Sequence, residues 1–221
     1  METAAITPGQ RGRDGQRAGI PVPGALGTLL PDGILHRGSA VSAPGDLPLL
    51  LALGAAAGAD HTAWAAVGLP YLGALAAHSA GLDLACGLWV DAPGDRWPEA
   101  ISTLADGVPL ILLGPVGAVT ERTHRRLTGL LRRSGTVLLV AGPWPGAQLR
   151  LSVEAASWEG VGHGHGLLRR RRVRVTASGR GAAAAPRTAE LWLPGPDGSV
   201  HPVAAPAPAA DAPRPRLRAV G

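Results

Sequence analysis

The side chains best suited to chemistry in this sequence are concentrated in one basic segment of its C-terminal third. If the segment forms a strand, Arg170, Arg172 and Arg174 share one face, and Arg169 and Arg171 share the other. Arginines at this spacing can contact the phosphates of DNA, each adding a salt-dependent contribution, or an acidic partner. Arg180 and Arg187 follow nearby and strengthen that interpretation. The alternative is a solvated edge strand that its charges protect from pairing with other chains.

No lysine occurs anywhere in the chain, so all 21 basic side chains are arginines. A P-loop ATPase uses a lysine to reach the nucleotide phosphates, and arginine is not an equivalent replacement at a tight phosphate site. Asn and Phe are absent too, while Ala, Gly, Pro and Arg are abundant, which is the pattern that codon bias in a GC-rich genome produces. Such bias explains arginine on a surface better than it explains the loss of a catalytic lysine.

Candidate residues outside the basic segment are few. Trp144 stands between two prolines and is a candidate exposed anchor for a partner, with packing over the sheet as an equally supported alternative. His163 and His165 lie in a glycine-rich segment over 160–166, where we expect a mobile loop rather than a metal site, since two histidines alone are an incomplete ligand set. The single Cys86 excludes an internal disulfide and fits a reducing cytosol. We expect no catalytic residue, no cofactor and no metal.

The bulk properties indicate one basic domain. A mass of 22.3 kDa fits a single domain, and a formal charge of +5 suits nucleic acid or an acidic partner. Neither a signal peptide nor a run of about 18 apolar residues is recognisable, so we expect a cytoplasmic protein. We predict a disordered leader over 1–25, a folded domain over 26–194 and a disordered Pro/Ala-rich tail over 195–221.

Hydrophobic patterns predict an α/β fold with a mostly parallel sheet flanked by helices and an antiparallel C-terminal strand extension. Asp46 is a plausible N-cap for the first long helix. Four tryptophans in strands, Trp64, Trp89, Trp158 and Trp192, are expected in the core. The strands are predicted over 39–43, 61–67, 88–90, 108–113 and 136–140, the helices over 46–57, 71–80, 95–106 and 120–133, and the antiparallel strands over 149–155, 168–176 and 188–193.

Several segments, taken in order, carry a resemblance to a known family. They are residues 30–38 (LPDGILHRG), 80–84 (AGLDL), 172–175 (RVRV) and 186–191 (PRTAEL). In this order they resemble RecA over roughly residues 26–193, and more closely the RecA-like accessory proteins of bacterial mutasomes, the ImuA type of actinobacteria. The sequence GPWPG at 142–146 and the HGHG before the arginines are more similar to the ImuA branch than to RecA.

The departures from RecA affect every position that the resemblance connects with ATP hydrolysis. The loop at the Walker A position lacks Gly-Lys-Thr, and its Asp46 would place a negative charge where a phosphate cradle needs N–H groups, a cation and a hydroxyl. The loop residues are Ala43, Pro44, Gly45 and Asp46. The Mg²⁺-binding acid is replaced by Gly114-Pro115, the general base by Gly68 or Leu69, the polar sensor by Ala141-Gly142, and two lysines that reach a neighbour's nucleotide by Ala177 and Gly179.

The resemblance therefore implies a protein that kept the RecA fold and lost ATP hydrolysis. Its implied function is that of an accessory factor in SOS mutagenesis and translesion synthesis. Its implied partners are a catalytically inactive Y-family polymerase homologue and an error-prone replicative-type polymerase, with DNA as a further candidate. Two alternatives stay open at this point: a DNA-binding structural protein that works without a polymerase, and an ATPase with an atypical phosphate loop in which arginine replaces lysine.

Overall fold

A computed structural model describes residues 19–58, 61–162 and 165–203. The strands in these residues are β1 (Ile20–Pro21), β2 (Ile34–Leu35), β3 (Ala40–Ser42), β4 (Trp64–Val67), β5 (Gly87–Val90), β6 (Leu110–Leu113), β7 (Val137–Val140), β8 (Leu149–Gly162), β9 (His165–Gly179), β10 (Arg187–Trp192) and β11 (His201–Pro202). The helices are α1 (Gly24–Gly27), α2 (Leu47–Ala57), α3 (Ala74–Ser79), α4 (Trp97–Leu104) and α5 (Glu121–Ser134).

Nine of the strands form one sheet in the order β5-β4-β6-β7-β3-β8-β9-β10-β11. The strands from β5 to β3 run parallel, and β8 begins parallel to β3. From β8 onward each neighbour is antiparallel. The predicted fold class, a mostly parallel sheet with an antiparallel C-terminal extension, is confirmed.

The core lies on both faces of the parallel strands, because successive side chains of a strand point to opposite faces. In β6, Leu110 and Leu112 belong to the core on the α2 side, and Ile111 and Leu113 belong to the core that includes Ile101 of α4. All four β6 residues are fully buried. This explains why the predicted strand over 108–113 is a continuous apolar run rather than an alternating one.

Backbone conformation and capping residues determine where α3 begins and where α5 begins and ends. α3 begins only at Ala74, and not at residue 71 as predicted, because Gly73 before it has an extended backbone (φ −71°, ψ 140°). α5 starts after Thr120, whose side chain accepts a hydrogen bond from the backbone N–H of Thr123, and it ends at Gly135 in the left-handed region. In the part of the chain that the structure describes, no helix has both the length and the apolar character needed to cross a bilayer.

The antiparallel hairpin of β8 and β9 is longer than predicted. Its pairing continues past the predicted strand ends, with register shifts between Val153 and Ala155 and between Glu159 and Val161. Gly160 and Gly166 therefore belong to strands, and the predicted loop over 160–166 is wrong for the residues that the structure describes. His163 lies outside the described residues, while His165 is the first residue of β9.

Parts of the predicted leader and tail belong to the ordered domain. β1 pairs with β2, and Val22 after it is buried. At the other end, β11 pairs with β10 beyond the predicted boundary at residue 194. The ordered domain thus includes residues 19–25 and 195–203, because short strand pairs attach them to the body, whereas residues 1–18 and 204–221 lie outside the described residues.

Candidate functional site

The loop that corresponds to a phosphate loop, residues 43–46, follows β3 and leads into α2. One carboxylate oxygen of Asp46 accepts a hydrogen bond from the backbone N–H of Leu49 at 2.9 Å, which confirms the predicted N-cap. The other oxygen forms an ion pair with the Nη2 of Arg171 at 2.5 Å, and the two side chains are only 6% and 14% exposed. An aspartate of the chain itself therefore occupies the helix N-terminus, and the nearby cation is already neutralised.

Two glycines stand where the resemblance expects catalytic acids, and the backbone disfavours a side chain at each for a different reason. Gly114 follows β6 at the position where the resemblance expects a Mg²⁺-binding acid. A Cβ added at Gly114 would lie 1.9 Å from the carbonyl oxygen of Gly68, so even alanine requires the backbone to move. Gly68, at the expected position of the general base, has φ +66°, a conformation that side-chain-bearing residues rarely adopt. Neither position carries an acid, and an acid at Gly114 would require the Gly68 backbone to move.

An apolar pocket of about 460 Å³ opens at this edge of the sheet, where the parallel strands end. Tyr71 in its lining is 97% exposed, and Leu75 of α3, four positions further along the chain, is 78% exposed. Asp46, already paired with Arg171, is the one charged residue among the described lining residues. The pocket is lined by Gly45, Asp46, Leu47, Gly68, Leu69, Pro70, Tyr71, Leu72, Pro115 and Ala141.

This arrangement suits an apolar group far better than a triphosphate. Ligands of open parallel sheets bind outside the carboxyl ends of the strands, so the pocket lies where a ligand is expected. A phosphate there would meet the Asp46 carboxylate and find no unpaired cation among the described lining residues. An aliphatic or aromatic side chain would instead gain from leaving water, at about 25 cal/mol per Å² of buried apolar surface.

The predicted arginine strand lies on β9, and its side chains alternate as expected. Arg172 and Arg174 on the outer face both pair with Glu190 of the adjacent strand. Hydrogen bonds from Arg172 and then from Arg174 hold the pKa of Glu190 below its ordinary value. Arg170 pairs with Glu159 at 2.7 Å, and its guanidinium lies 4.0 Å from the ring centre of Trp192.

The two arginines of the inner face differ from each other. Arg171 reaches the phosphate-loop position, as described above. Arg169 is exposed and makes no ion pair with a described residue. The basic segment is thus a set of ion pairs that hold the extension together, and most of its charge is balanced locally.

Comparisons with known proteins place the parallel part of this fold in a family. The family model of the MT3502 N-terminal domain matches residues 28–146, more than half of the chain. The chain belongs to the MT3502 family. A relative, the uncharacterized protein Rv3395c of Mycobacterium tuberculosis (strain ATCC 25618 / H37Rv), is 34% identical over 141 residues, which are 62% of this chain and 69% of the relative.

The MT3502 domain contains some parts of the candidate site and not others. The phosphate-loop position, Gly68, Gly114 and every residue of the apolar pocket fall within residues 28–146. The arginine strand follows the matched region. The ion pair between Asp46 and Arg171 therefore joins the MT3502 domain to the antiparallel extension.

Trp144, predicted as an exposed anchor near the end of the MT3502 domain, is buried. Only 2% of it is exposed. Its ring packs edge-on against Trp97 and His124, with ring centres 6.1 Å apart in each case. Of the two alternatives for Trp144, the exposed anchor is wrong and burial is right, because the segment after β7 folds back over α4 and α5. Trp158, predicted in the core, is 49% exposed on the hairpin, while Trp64 is buried as expected.

One group that the sequence analysis did not identify could hold a metal ion. His61, Asp83 and Cys86 bring one ligand atom each to within 4.8 Å of the others. Asp83 is already engaged, because it accepts hydrogen bonds from His61 and from the backbone N–H of Ala85, and these lower its pKa. Burial raises the pKa of the Cys86 thiol and so disfavours the thiolate that a metal needs. We assign the group a structural role at the turn before β5.

A second polar group, before β11, contains the residue types of a hydrolase triad. Ser199 Oγ lies 2.8 Å from His201 Nε2, and the same nitrogen lies 3.0 Å from Asp197 Oδ1. A triad needs the serine and the carboxylate on opposite nitrogens of the ring, so no proton relay is possible here. The hydrogen bond with His201, followed by those from Ser199, lowers the pKa of Asp197 to about 2. The group stabilises a turn.

Proposed function

We propose that this protein is a non-hydrolysing, RecA-like accessory factor in DNA-damage-induced translesion synthesis, and that it acts by docking a polymerase-like partner. The similarity to the ImuA type suggests a catalytically inactive Y-family polymerase homologue as that partner, beside an error-prone replicative-type polymerase in the cytoplasm. The observation that carries the proposal is the apolar pocket, with its neutralised Asp46–Arg171 pair, at the edge where a RecA-like ATPase would hold its nucleotide.

The rim of the pocket has the properties of a protein-docking surface. Tyr71 is almost fully exposed, and tyrosine is enriched among residues that dominate binding energies. An apolar anchor from the partner would fill the pocket and cover Tyr71 and Leu75 together. In this proposal the pocket contributes apolar burial, while the ion pairs of the extension hold the sheet behind it rigid.

An ATPase in which arginine replaces the missing lysine is less well supported. Arg171 is the arginine that reaches the loop, and its guanidinium is bound to the Asp46 carboxylate. A nucleotide would have to break this largely buried pair before Arg171 could reach a phosphate. Restoring a Mg²⁺ ligand at Gly114 would in addition require displacement of the Gly68 backbone.

A DNA-binding structural protein that uses the arginine strand is also less well supported than docking. On the outer face, Arg170 is paired with Glu159, and Arg172 and Arg174 share Glu190, so one positive charge remains in excess. DNA phosphates would have to compete with these pairs, so each arginine contributes less than a free one would.

Binding of the purified protein to its polymerase-like partner, measured by calorimetry, tests the proposal. We expect Tyr71→Ser to weaken binding by about tenfold or more, as loss of a central aromatic anchor does. Leu167→Ser is the matched control, because Leu167 is 76% exposed on the hairpin, away from the pocket, and we expect it to bind like wild type. Failure of the wild-type protein to bind, or equal binding by Tyr71→Ser, would refute docking through this pocket.

A further inference from the structure

A second pocket, of about 390 Å³, lies at the opposite edge of the parallel sheet. Its lining includes Ser39, just before β3, and Gln148, just before β8, so it opens at the amino ends of these strands. Three arginines line it as well: Arg37, Arg132 and Arg180. We call it the basic pocket.

The arginines of the basic pocket come from three distant parts of the chain. Arg37 lies between β2 and β3, Arg132 in the last turn of α5, and Arg180 just after β9. Gly38 makes their convergence possible, because a Cβ added there would lie 2.9 Å from the Cα of Arg132. The segment before β3 therefore packs directly on the end of α5 and places Arg37 beside Arg132.

The charge of the basic pocket is not balanced within the described residues. No acidic side chain lines it, and the side chains of its three arginines form no ion pair or hydrogen bond with a described residue. The arginines on the outer face of β9 differ in this respect, since each is paired with a glutamate. The carboxyl end of α5 favours a cation at Arg132, but Arg37 and Arg180 lie in loops without such a partner.

We propose that the basic pocket binds a phosphate group. Three guanidinium groups that converge on one cavity repel each other, and a bound anion offsets that repulsion. Arginine presents a planar set of donors that matches phosphate oxygens, and Gln148 adds amide donors. The volume lies within the range of about 300–1,000 Å³ that is usual for small-ligand pockets, so the pocket suits a single nucleotide-sized group.

The phosphate can come from a free phosphorylated molecule or from single-stranded DNA. Two probes distinguish these sources: inorganic pyrophosphate, followed by calorimetry, and a short labelled single-stranded oligonucleotide, followed by fluorescence anisotropy. Both use the full chain without any polymerase, so the outcome does not depend on the docking function proposed above.

The informative variant is Arg132→Gln combined with Arg180→Gln. The matched control is Arg122→Gln combined with Arg133→Gln, which removes the same charge from exposed positions of α5 that do not line the basic pocket. We expect the pocket variant to lose at least about tenfold in affinity for one or both probes, since hydrogen bonds to charged groups contribute this much each. We expect the control to lose less than about threefold, because neither of its side chains lines the pocket and exposed charges outside it are partly screened by salt.

Each outcome has a defined meaning. A loss confined to the oligonucleotide assigns the phosphate to DNA, and a loss confined to pyrophosphate assigns it to a free ligand. The proposal is overturned if wild-type protein binds neither probe, or if pocket and control variants bind equally. Thermal unfolding of both variants verifies that the fold is retained, which we expect because all four arginines are exposed.

Discussion

Asp46 is the residue on which the candidate site depends most, because it both caps α2 and pairs with Arg171. These contacts occupy an N–H group of the helix N-terminus and a cation, and a bound phosphate would need groups of both kinds. At the same edge of the sheet, the carbonyl oxygen of Gly68 leaves no space for a side chain at Gly114. The absence of lysine from the sequence is thus accompanied by an aspartate that caps this helix and pairs with an arginine.

Asp46→Asn tests the ion pair without removing the helix cap, since asparagine is also a good N-cap. We expect the free energy of unfolding to fall by about 3 kcal/mol, at the low end for a buried pair because Arg171 keeps some contact with water. Urea unfolding measures this. Glu159→Gln breaks the exposed pair with Arg170 and should cost less than about 1 kcal/mol. Equal losses would show that the Asp46–Arg171 pair has no special role.

Gly114→Ala tests the steric closure of the site. We expect it to cost about 1–3 kcal/mol or more, because its Cβ overlaps the carbonyl oxygen of Gly68. Gly117→Ala, where nothing lies within 4 Å of the added Cβ, is the control and should leave the urea midpoint nearly unchanged. A Gly114→Ala protein as stable as the control would mean that the backbone here yields easily and that an acid could be accommodated.

Among the helices and strands, the features that depend on neighbouring residues could be predicted from the sequence. The run over 108–113 identified a strand buried on both faces, and Asp46 identified the start of α2, because both depend on neighbouring residues. The partner of Asp46 could not be predicted, since Arg171 lies 125 positions away. For Trp144 the sequence left two environments open for a related reason: flanking prolines indicate a loop but not the surface on which that loop packs.

The pH dependence of the extension follows from the Arg172–Glu190–Arg174 contacts between β9 and β10. Because the pKa of Glu190 is lowered on folding, its stabilising contribution is complete above the ordinary glutamate value and is lost as the pH falls through the lowered one. NMR titration of the Glu190 carboxyl should show a midpoint below 4.5. Arg172→Gln should raise this midpoint, whereas Arg150→Gln should not, because Arg150 lies on β8 and β9 separates β8 from β10. An unchanged midpoint in Arg172→Gln would contradict the pairing.

At the scale of the whole molecule, the two edges of the parallel sheet have opposite chemistry. The carboxyl edge carries the apolar pocket and a neutralised ion pair, and the amino edge carries the basic pocket. The MT3502 domain provides all of the apolar pocket, whereas the basic pocket also needs Gln148 and Arg180, which follow the matched region. The molecule is thus arranged to offer an apolar surface where a RecA-like ATPase would hold ATP and to keep unpaired cations elsewhere.

Phosphate release from ATP in the presence of Mg²⁺ shows directly whether this protein hydrolyses ATP. We predict that the purified wild-type protein releases phosphate no faster than a buffer blank, with and without single-stranded DNA, and that Asp46→Asn gives the same result. This assay measures turnover rather than nucleotide binding, so a phosphate bound in the basic pocket would not change the expected result. Mg²⁺-dependent turnover by the wild-type protein that a substitution within residues 43–46 abolishes would contradict the account.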